Sequence, residues 1–417
     1  MCTYNLSPKI QQAHAKKKLF SRAMKVDAKP CLPSNISGRP GGTSHNAFLV
    51  MGCVSLLTYY FFMQSLPFFE ARLYESFAGV ATIAYGISAN VGQLLGLWMA
   101  PKVSMNARIF TSTGGLALVA GMYIMVSVFG DTWRIPGVFV TILLGFNNAI
   151  FQSAASGLAS CAGSDSLRYF YLGQSVCGLL PLPMMLVADW AGNLIGVPDE
   201  GYLAQPGAIG AISGMVFAFL GTLAFIPYMY FAVSRNMAGA LEGMIQRDLQ
   251  SPTFLTVCIR ILPVTLPLWL LFAVTFTVYP QELVKWDSES PLFVSALIFR
   301  NLLIYLATVF DILGNYLPLL LGSPNIPIWL FQIGSVFRIA FIPCVVFGGK
   351  ACSDLVKILL VASLASSGGY LLSEGLSILP GVAQDESAEM SGYIASFFLT
   401  NGITAGGLAG YFIDLLV

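Results

Sequence analysis

Residues 291–321, PLFVSALIFRNLLIYLATVFDILGNYLPLLL, form a nearly unbroken apolar run that nevertheless carries Arg300 and Asp311. The run is long enough to cross a bilayer as a helix. At about 100° per residue the two charges fall on nearly the same helix face, roughly 16 Å apart along the axis, so they cannot pair with each other. An ionisable group at membrane depth costs at least about 2.5–3.5 kcal/mol on insertion scales and faces protein or a water-filled path. The segment is therefore expected to turn this face toward a polar interior. A structural charge paired to a neighbouring helix is the competing reading for each residue.

The rest of the chain agrees with a membrane setting. Of its 417 residues 56% are hydrophobic and only 10% charged, with a mean hydropathy of +0.75, whereas soluble domains carry about 25% charged residues. A net charge of +1 without a basic folded face argues against nucleic acid as a partner. Eight cysteines form no CxxC pair and several sit inside apolar runs, so they read as small hydrophobes. Both histidines, His14 and His45, precede the first apolar run. No His-ligated metal and no His proton relay can then be built within the bilayer, and no cofactor is expected.

Residues 1–45 hold Lys9, Lys16, Lys17, Lys18, Arg22, Lys25, Lys29 and Arg39 against the single acid Asp27. This is expected to be a flexible cytosolic head, because a positive flank stays inside. The sequons at Asn5 and Asn35 then never meet a lumen. Mainly apolar runs follow at 47–69, 77–99, 109–130, 136–162, 168–188, 206–233, 254–280, 291–321, 328–348, 354–377 and 389–417, which predicts eleven membrane helices. With the head inside, Lys102, Arg108, Arg168, Arg235 and Arg247 share its side, and the odd count puts the carboxyl terminus outside. The polar linker 234–253 divides six helices (46–233) from five (254–417).

Polar side chains inside the runs mark candidate functional positions. In GFNNAIFQSAASGLAS, Asn148, Gln152, Ser156 and Ser160 recur every four residues along one face. Such a stripe either joins helices, at only about 0.6 kcal/mol per hydrogen bond, or lines a solvated path; the size of Asn and Gln favours lining. Gly86, Asn90 and Gln93 share a face of the second run, and Ser363, Ser366, Ser367 and Tyr370 mark the tenth. Gly402, Gly406 and Gly410 recur every four residues in the last, a pattern explained by close helix packing. Pro181, Pro183, Pro263 and Pro267 are expected to kink their helices. Arg260 can snorkel from the cytosolic end of its run. Arg338 lies midway along 328–348 and is the natural partner for Asp311, since a buried charge is tolerated mainly when paired. Together Arg300, Asp311 and Arg338 form the expected charge network.

In order along the chain, Leu56-Leu57-Thr58-Tyr59-Tyr60-Phe61-Phe62, GFNNAIFQSAASGLAS (145–160), YLGQSVCG (171–178), FTVYP (276–280), VFDILG (309–314), FRIAFIP (337–343) and SSGGY (366–370) resemble the signatures of equilibrative nucleoside transporters. The first resembles the family's LLPWNxF segment, with Thr58, Tyr59 and Tyr60 in place of Pro, Trp and Asn. Gln152 falls at the glutamine implicated in nucleoside contact. The family's arginine four residues after the aspartate is Asn315 here.

The resemblance implies an all-α polytopic membrane protein with the 6+5 helices in two bundles, similar to the major facilitator fold, rocking around a midplane site. It implies a facilitative carrier of nucleosides or nucleobases, with purine uptake as the activity to seek. Tyr59, Tyr60, Asn90, Gln152, Ser156, Ser175, Asp311 and Asn315 are the expected substrate contacts, rings stacking on bases and polar groups meeting ring edges or ribose hydroxyls. The expected setting is a monomer in the plasma membrane, with protons as an open alternative co-substrate. Competing readings are a facilitator or proton-coupled carrier of another small polar solute and, disfavoured by the lack of any catalytic constellation, a membrane enzyme or scaffold.

Overall fold

The computed structural model describes residues 43–416 apart from 75–76, 101, 131–133, 196–206, 237–253, 280–281, 284–285, 287, 289–295, 322–325, 349–351 and 384–386. The expected basic head up to residue 42, and the linker beyond Asn236, lie outside the described residues. The described chain is helical throughout, with no strand among the described residues. Its helices are α1 (Thr43–Gln64), α2 (Leu66–Arg72), α3 (Phe77–Met99), α4 (Met105–Phe129), α5 (Arg134–Ala162), α6 (Ser164–Cys177), α7 (Pro181–Ile195) and α8 (Ala208–Asn236). They continue as α9 (Phe254–Val278), α10 (Ala296–Leu320), α11 (Ile328–Phe337), α12 (Phe341–Gly348), α13 (Asp354–Ala383) and α14 (Ala388–Leu416).

All eleven expected segments are helical, but three are broken, the first of them at Ser65 between α1 and α2. The fifth divides at Gly178–Leu180, where amides of Gly178, Leu179 and Leu180 bond three residues back at 3.0–3.1 Å. That tighter turn ends α6 and lets Pro181, which has no amide hydrogen, begin α7 without losing a bond. Pro263 and Pro267, by contrast, remain inside the continuous α9. The ninth segment is α11 and α12 joined by a 3₁₀ turn, Arg338–Ala340. Ten segments are long and apolar enough to cross a membrane. The eleventh, α14, is a 29-residue helix whose Asn, Thr and Gly residues dilute its hydropathy.

The larger apolar core runs from Phe48, Phe61 and Phe62 through Tyr123, Phe151 and Phe170 to Leu268, Leu376 and Tyr393. It is thus shared between helices before and after the linker. Outward, Trp98, Leu118, Trp190, Leu255, Phe337 and Phe412 are exposed, an apolar surface far beyond that of a soluble monomer and suited to lipid. Lys102 lies 3.3 Å over the Trp98 ring, an aromatic and a cation placed as interfacial anchors are.

The tightest helix pairs are α1 with α6, α3 with α5, α9 with α14 and α10 with α13. Helices from the two sides of the linker meet along two seams, α14 against α3 and α5, and α6 against α10 and α13. Glycine permits the approach of α10 and α13: a Cβ on Gly369 would strike the Asp311 carbonyl oxygen, and one on Gly314 would strike that of Ser366. Gly402 and Gly406 likewise face the carbonyls of Trp269 and Ala273, so the expected close packing of α14 is directed at α9. Gly369→Ala is expected to push α13 off α10 at a cost of about 1–3 kcal/mol. A thermal melt of the detergent-solubilised variant checks this, and an unchanged midpoint would show that the two helices have room to spare.

Candidate functional site

Asp311 sits at the middle of α10, opposite α6. Its Oδ2 accepts hydrogen bonds from the Ser175 hydroxyl at 2.6 Å and from the Asn315 amide at 3.2 Å. The same amide reaches Ser175 Oγ at 3.3 Å. These three expected site residues are therefore one cluster spanning the α6–α10 seam. Asn315, four residues on in the helix, lies one turn from Asp311 and serves as a local neutral donor. Gly178, at the end of α6, makes room for the α10 side of this cluster and for α1. A Cβ there would sit 3.0 Å from Thr308 and 3.2 Å from Tyr60.

From Tyr60 an aromatic row extends along α1 into α3. Tyr59 meets Tyr60 edge-on, with centroids 5.7 Å apart, and lies against Tyr85 at 4.5 Å. Tyr85 accepts a hydrogen bond from the Asn148 amide at 2.6 Å. Rings that keep a partly open face and a fixed hydroxyl suit a planar polar solute.

A second polar row starts one residue before Ser175. Gln174 donates to Ser55 at 3.1 Å and accepts from Gln152 at 3.4 Å; Gln152 in turn accepts from Gln93 at 3.5 Å. Gln93 also donates across to α14, to Ser396 at 2.8 Å and Thr400 at 3.2 Å. Asn90 belongs to a neighbouring group on that seam: it donates to Thr404 at 2.8 Å and accepts from Asn401, which accepts from the Trp269 indole at 2.9 Å.

The four-residue stripe on α5 divides. Asn148 and Gln152 face the aromatic and amide rows, whereas Ser156 donates to the Gly392 carbonyl at 3.1 Å and Ser160 meets Ser391 at 3.1 Å. Ser156 is fully buried there, with its hydroxyl spent on joining α5 to α14. The reason is α14 itself, whose Gly392 brings its backbone onto Ser156.

The expected Asp311–Arg338 pair does not form: no ion pair within 4.0 Å joins them among the described residues. The Arg338 guanidinium, 2% exposed, is instead held by neutral oxygens, the Leu364 carbonyl at 2.7 Å, Thr275 at 2.8 Å and Ser367. The Gly368 position, where a Cβ would lie 3.1 Å from the guanidinium, leaves space for it. Arg338 braces α9 and α13 from its 3₁₀ turn. The side chain of Arg300 lies outside the described residues. Arg260 donates to the Ala383 carbonyl at 3.0 Å, so it caps α13.

Two ion pairs, one fully buried and one partly exposed, join helices from the two sides of the linker at the end where α5 gives way to α6. Arg168 meets Glu374 of α13 at 3.7 Å, with side chains 1% and 0% exposed, and also Asp165 at 3.7 Å; its Nε donates to the Ser373 carbonyl. Arg108 of α4 donates to Tyr393 at 2.7 Å and lies 3.6 Å from Glu389 of α14. Arg168 and Arg108 were legible only as same-side charges of the topology. Tyr85, Gln93 and Gln174 also lay outside the expected contacts; their signal was a large polar group at mid-run, the one that singled out Gln152.

Polar groups and rings converge between two seamed sets of membrane helices, and the fold is similar to that of major facilitator transporters. The proton:xylose symporter XylE superposes with a TM-score of 0.60 at 12% identity, over 90% of this chain and 88% of that chain. The nucleoside transporter NupG superposes with a TM-score of 0.51 at 12% identity, over 89% and 92%. A family model described as nucleoside transporter matches residues 233–415. Equilibrative nucleoside transporter 1 of Rattus norvegicus is 23% identical over 89% of this chain and 96% of its own length. The chain is thus similar to equilibrative nucleoside transporters along most of its length, and its residues 233–415 match the nucleoside transporter family model.

Proposed function

We propose that this multi-pass membrane protein is a facilitative transporter that carries nucleosides, nucleobases or both by alternating access. The observation that carries the reading is the Asp311–Ser175–Asn315 cluster on the α6–α10 seam, one residue from the amide row that runs through Gln152. In this reading residues 46–233 and 254–417 are the two rocking bundles and 234–253 their connection. The carboxylate of Asp311 accepts a ribose hydroxyl or ring N–H, Gln152 meets a base edge, and Tyr59 or Tyr60 stacks on its face. The two ion-paired ends of the seams hold the bundles together on the side of the amino terminus, which we place in the cytosol, with the carboxyl terminus outside a plasma membrane and the protein acting as a monomer.

Uptake of labelled adenosine by vesicles containing the purified protein, competed by nucleosides, bases and sugars, tests the reading. Competition by sugars alone, or no uptake, would overturn it. The absence of an Asp311–Arg338 ion pair favours a second form of the same carrier, in which Asp311 travels with a proton. Collapse of concentrative uptake by a protonophore would select that form. Tags on both termini test the orientation: accessibility of the carboxyl-terminal tag alone in intact cells is expected, and equal accessibility of both would refute it.

Gln152→Ala is expected to raise KM by about five- to tenfold, the loss of a hydrogen bond or two, whereas Ser160→Ala leaves KM near wild type because Ser160 faces Ser391. Equal KM values in the two variants would remove Gln152 from the site.

A further inference from the structure

Gln93 is 0% exposed and lies between the candidate site and the α3–α14 seam. Its Nε2 carries two hydrogens but has three acceptors within reach: Ser396 at 2.8 Å, Thr400 at 3.2 Å and Gln152 at 3.5 Å. Its Oε1 is buried without a partner among the described residues. A residue serving only to zip two helices would spend both ends of its amide on the zip; buried amide atoms are ordinarily satisfied. Here one end is unspent and the other is contested between α14 and Gln152.

We propose that Gln93 is a positioning residue for Gln152, dividing its two amide hydrogens between Gln152 and α14 so that the state of the seam sets how Gln152 meets substrate. This rests on the reading above that Gln152 contacts the transported solute. With the seam closed, as here, the two shorter bonds go to Ser396 and Thr400. Gln152 Oε1 is then steered by a long, weak bond and keeps its remaining capacity for a substrate donor. When α14 withdraws, it no longer claims the hydrogens of Gln93, and one of them turns fully to Gln152 Oε1, competing with substrate. The consequence is weaker binding once the seam has opened, which favours release on that side.

The test is a set of KM and Vmax values for adenosine uptake, normalised to protein in the vesicles. Gln93→Met, close in volume but without an amide, is expected to raise KM about three- to fivefold, as loss of a weak hydrogen bond does, with Vmax within about twofold. Added to Gln152→Ala, it should change KM no further, because a positioning residue acts only through the residue it positions. The pair Ser396→Ala with Thr400→Val, which frees Gln93 onto Gln152, should raise KM in the wild-type background and not in Gln93→Met. Multiplying KM effects in Gln93→Met/Gln152→Ala, or a loss of Vmax at unchanged KM, would make Gln93 a packing residue and overturn the proposal. Should Gln93→Met fail to reach the membrane, the α14 pair decides alone: an unchanged KM overturns it. Wild-type protein that takes up no nucleoside or base refutes the substrate reading itself, and is seen before any variant is compared.

Discussion

Asp311→Asn is expected to lower adenosine uptake by about ten- to a hundredfold while the protein still reaches the membrane. The amide is isosteric, so its oxygen can keep the bonds from Ser175 and Asn315 that Oδ2 now receives. What changes is the other atom, which turns from an anionic acceptor into a donor. A hydrogen bond to a charged group contributes about 1.5–3 kcal/mol, which sets the size of the loss. Initial uptake rates per surface molecule check it, and a rate within about twofold of wild type would remove Asp311 from substrate contact. Were Arg338 the ion-pair partner of Asp311, Arg338→Gln would recover folding or surface expression of this variant by discharging the stranded cation. With Arg338 held by Leu364, Ser367 and Thr275, the two charges attract each other only at longer range, so Arg338→Gln is expected to recover only part of the loss.

Breaking the Arg168–Glu374 pair should have the largest effect on stability. Removing one member of a buried pair costs about 3–5 kcal/mol, chiefly by stranding the other charge. The two single losses are not equivalent. Arg168 keeps Asp165 when Glu374 is replaced, whereas Arg168→Met leaves the fully buried Glu374 carboxylate without a counter-charge among the described ion pairs. Arg168→Met is therefore the more damaging, and Arg168→Met with Glu374→Leu should recover most of the loss. Melting of the purified variants in detergent gives the order. A double variant as unstable as the sum of the singles would show that the charges do not stabilise each other across the seam.

Much of the fold was written in composition and period. A lipid interior forces backbone groups to bond within each segment, so eleven apolar runs of sufficient length had to be helices, and their glycine steps had to be contacts. The polar residues at mid-run were legible for the same reason: Gln152 and Asp311 are too costly in lipid to be incidental. Partners across the seams were not legible. Ser156 and Gln152 share one face of one helix and one chemistry, yet α14 covers the first and leaves the second among amides. Arg338 reads as a counter-ion from its depth alone, but a guanidinium can be satisfied by five neutral acceptors as well as by one carboxylate. Which of these it meets depends on where the Gly368–Gly369 step lets α13 and α10 close. Period and hydropathy thus determined which residues lie at membrane depth and on which helix face, because those follow from local geometry. The packing of helices distant in sequence decided which of those faces meet, and so which polar groups are spent on one another and which remain for a solute.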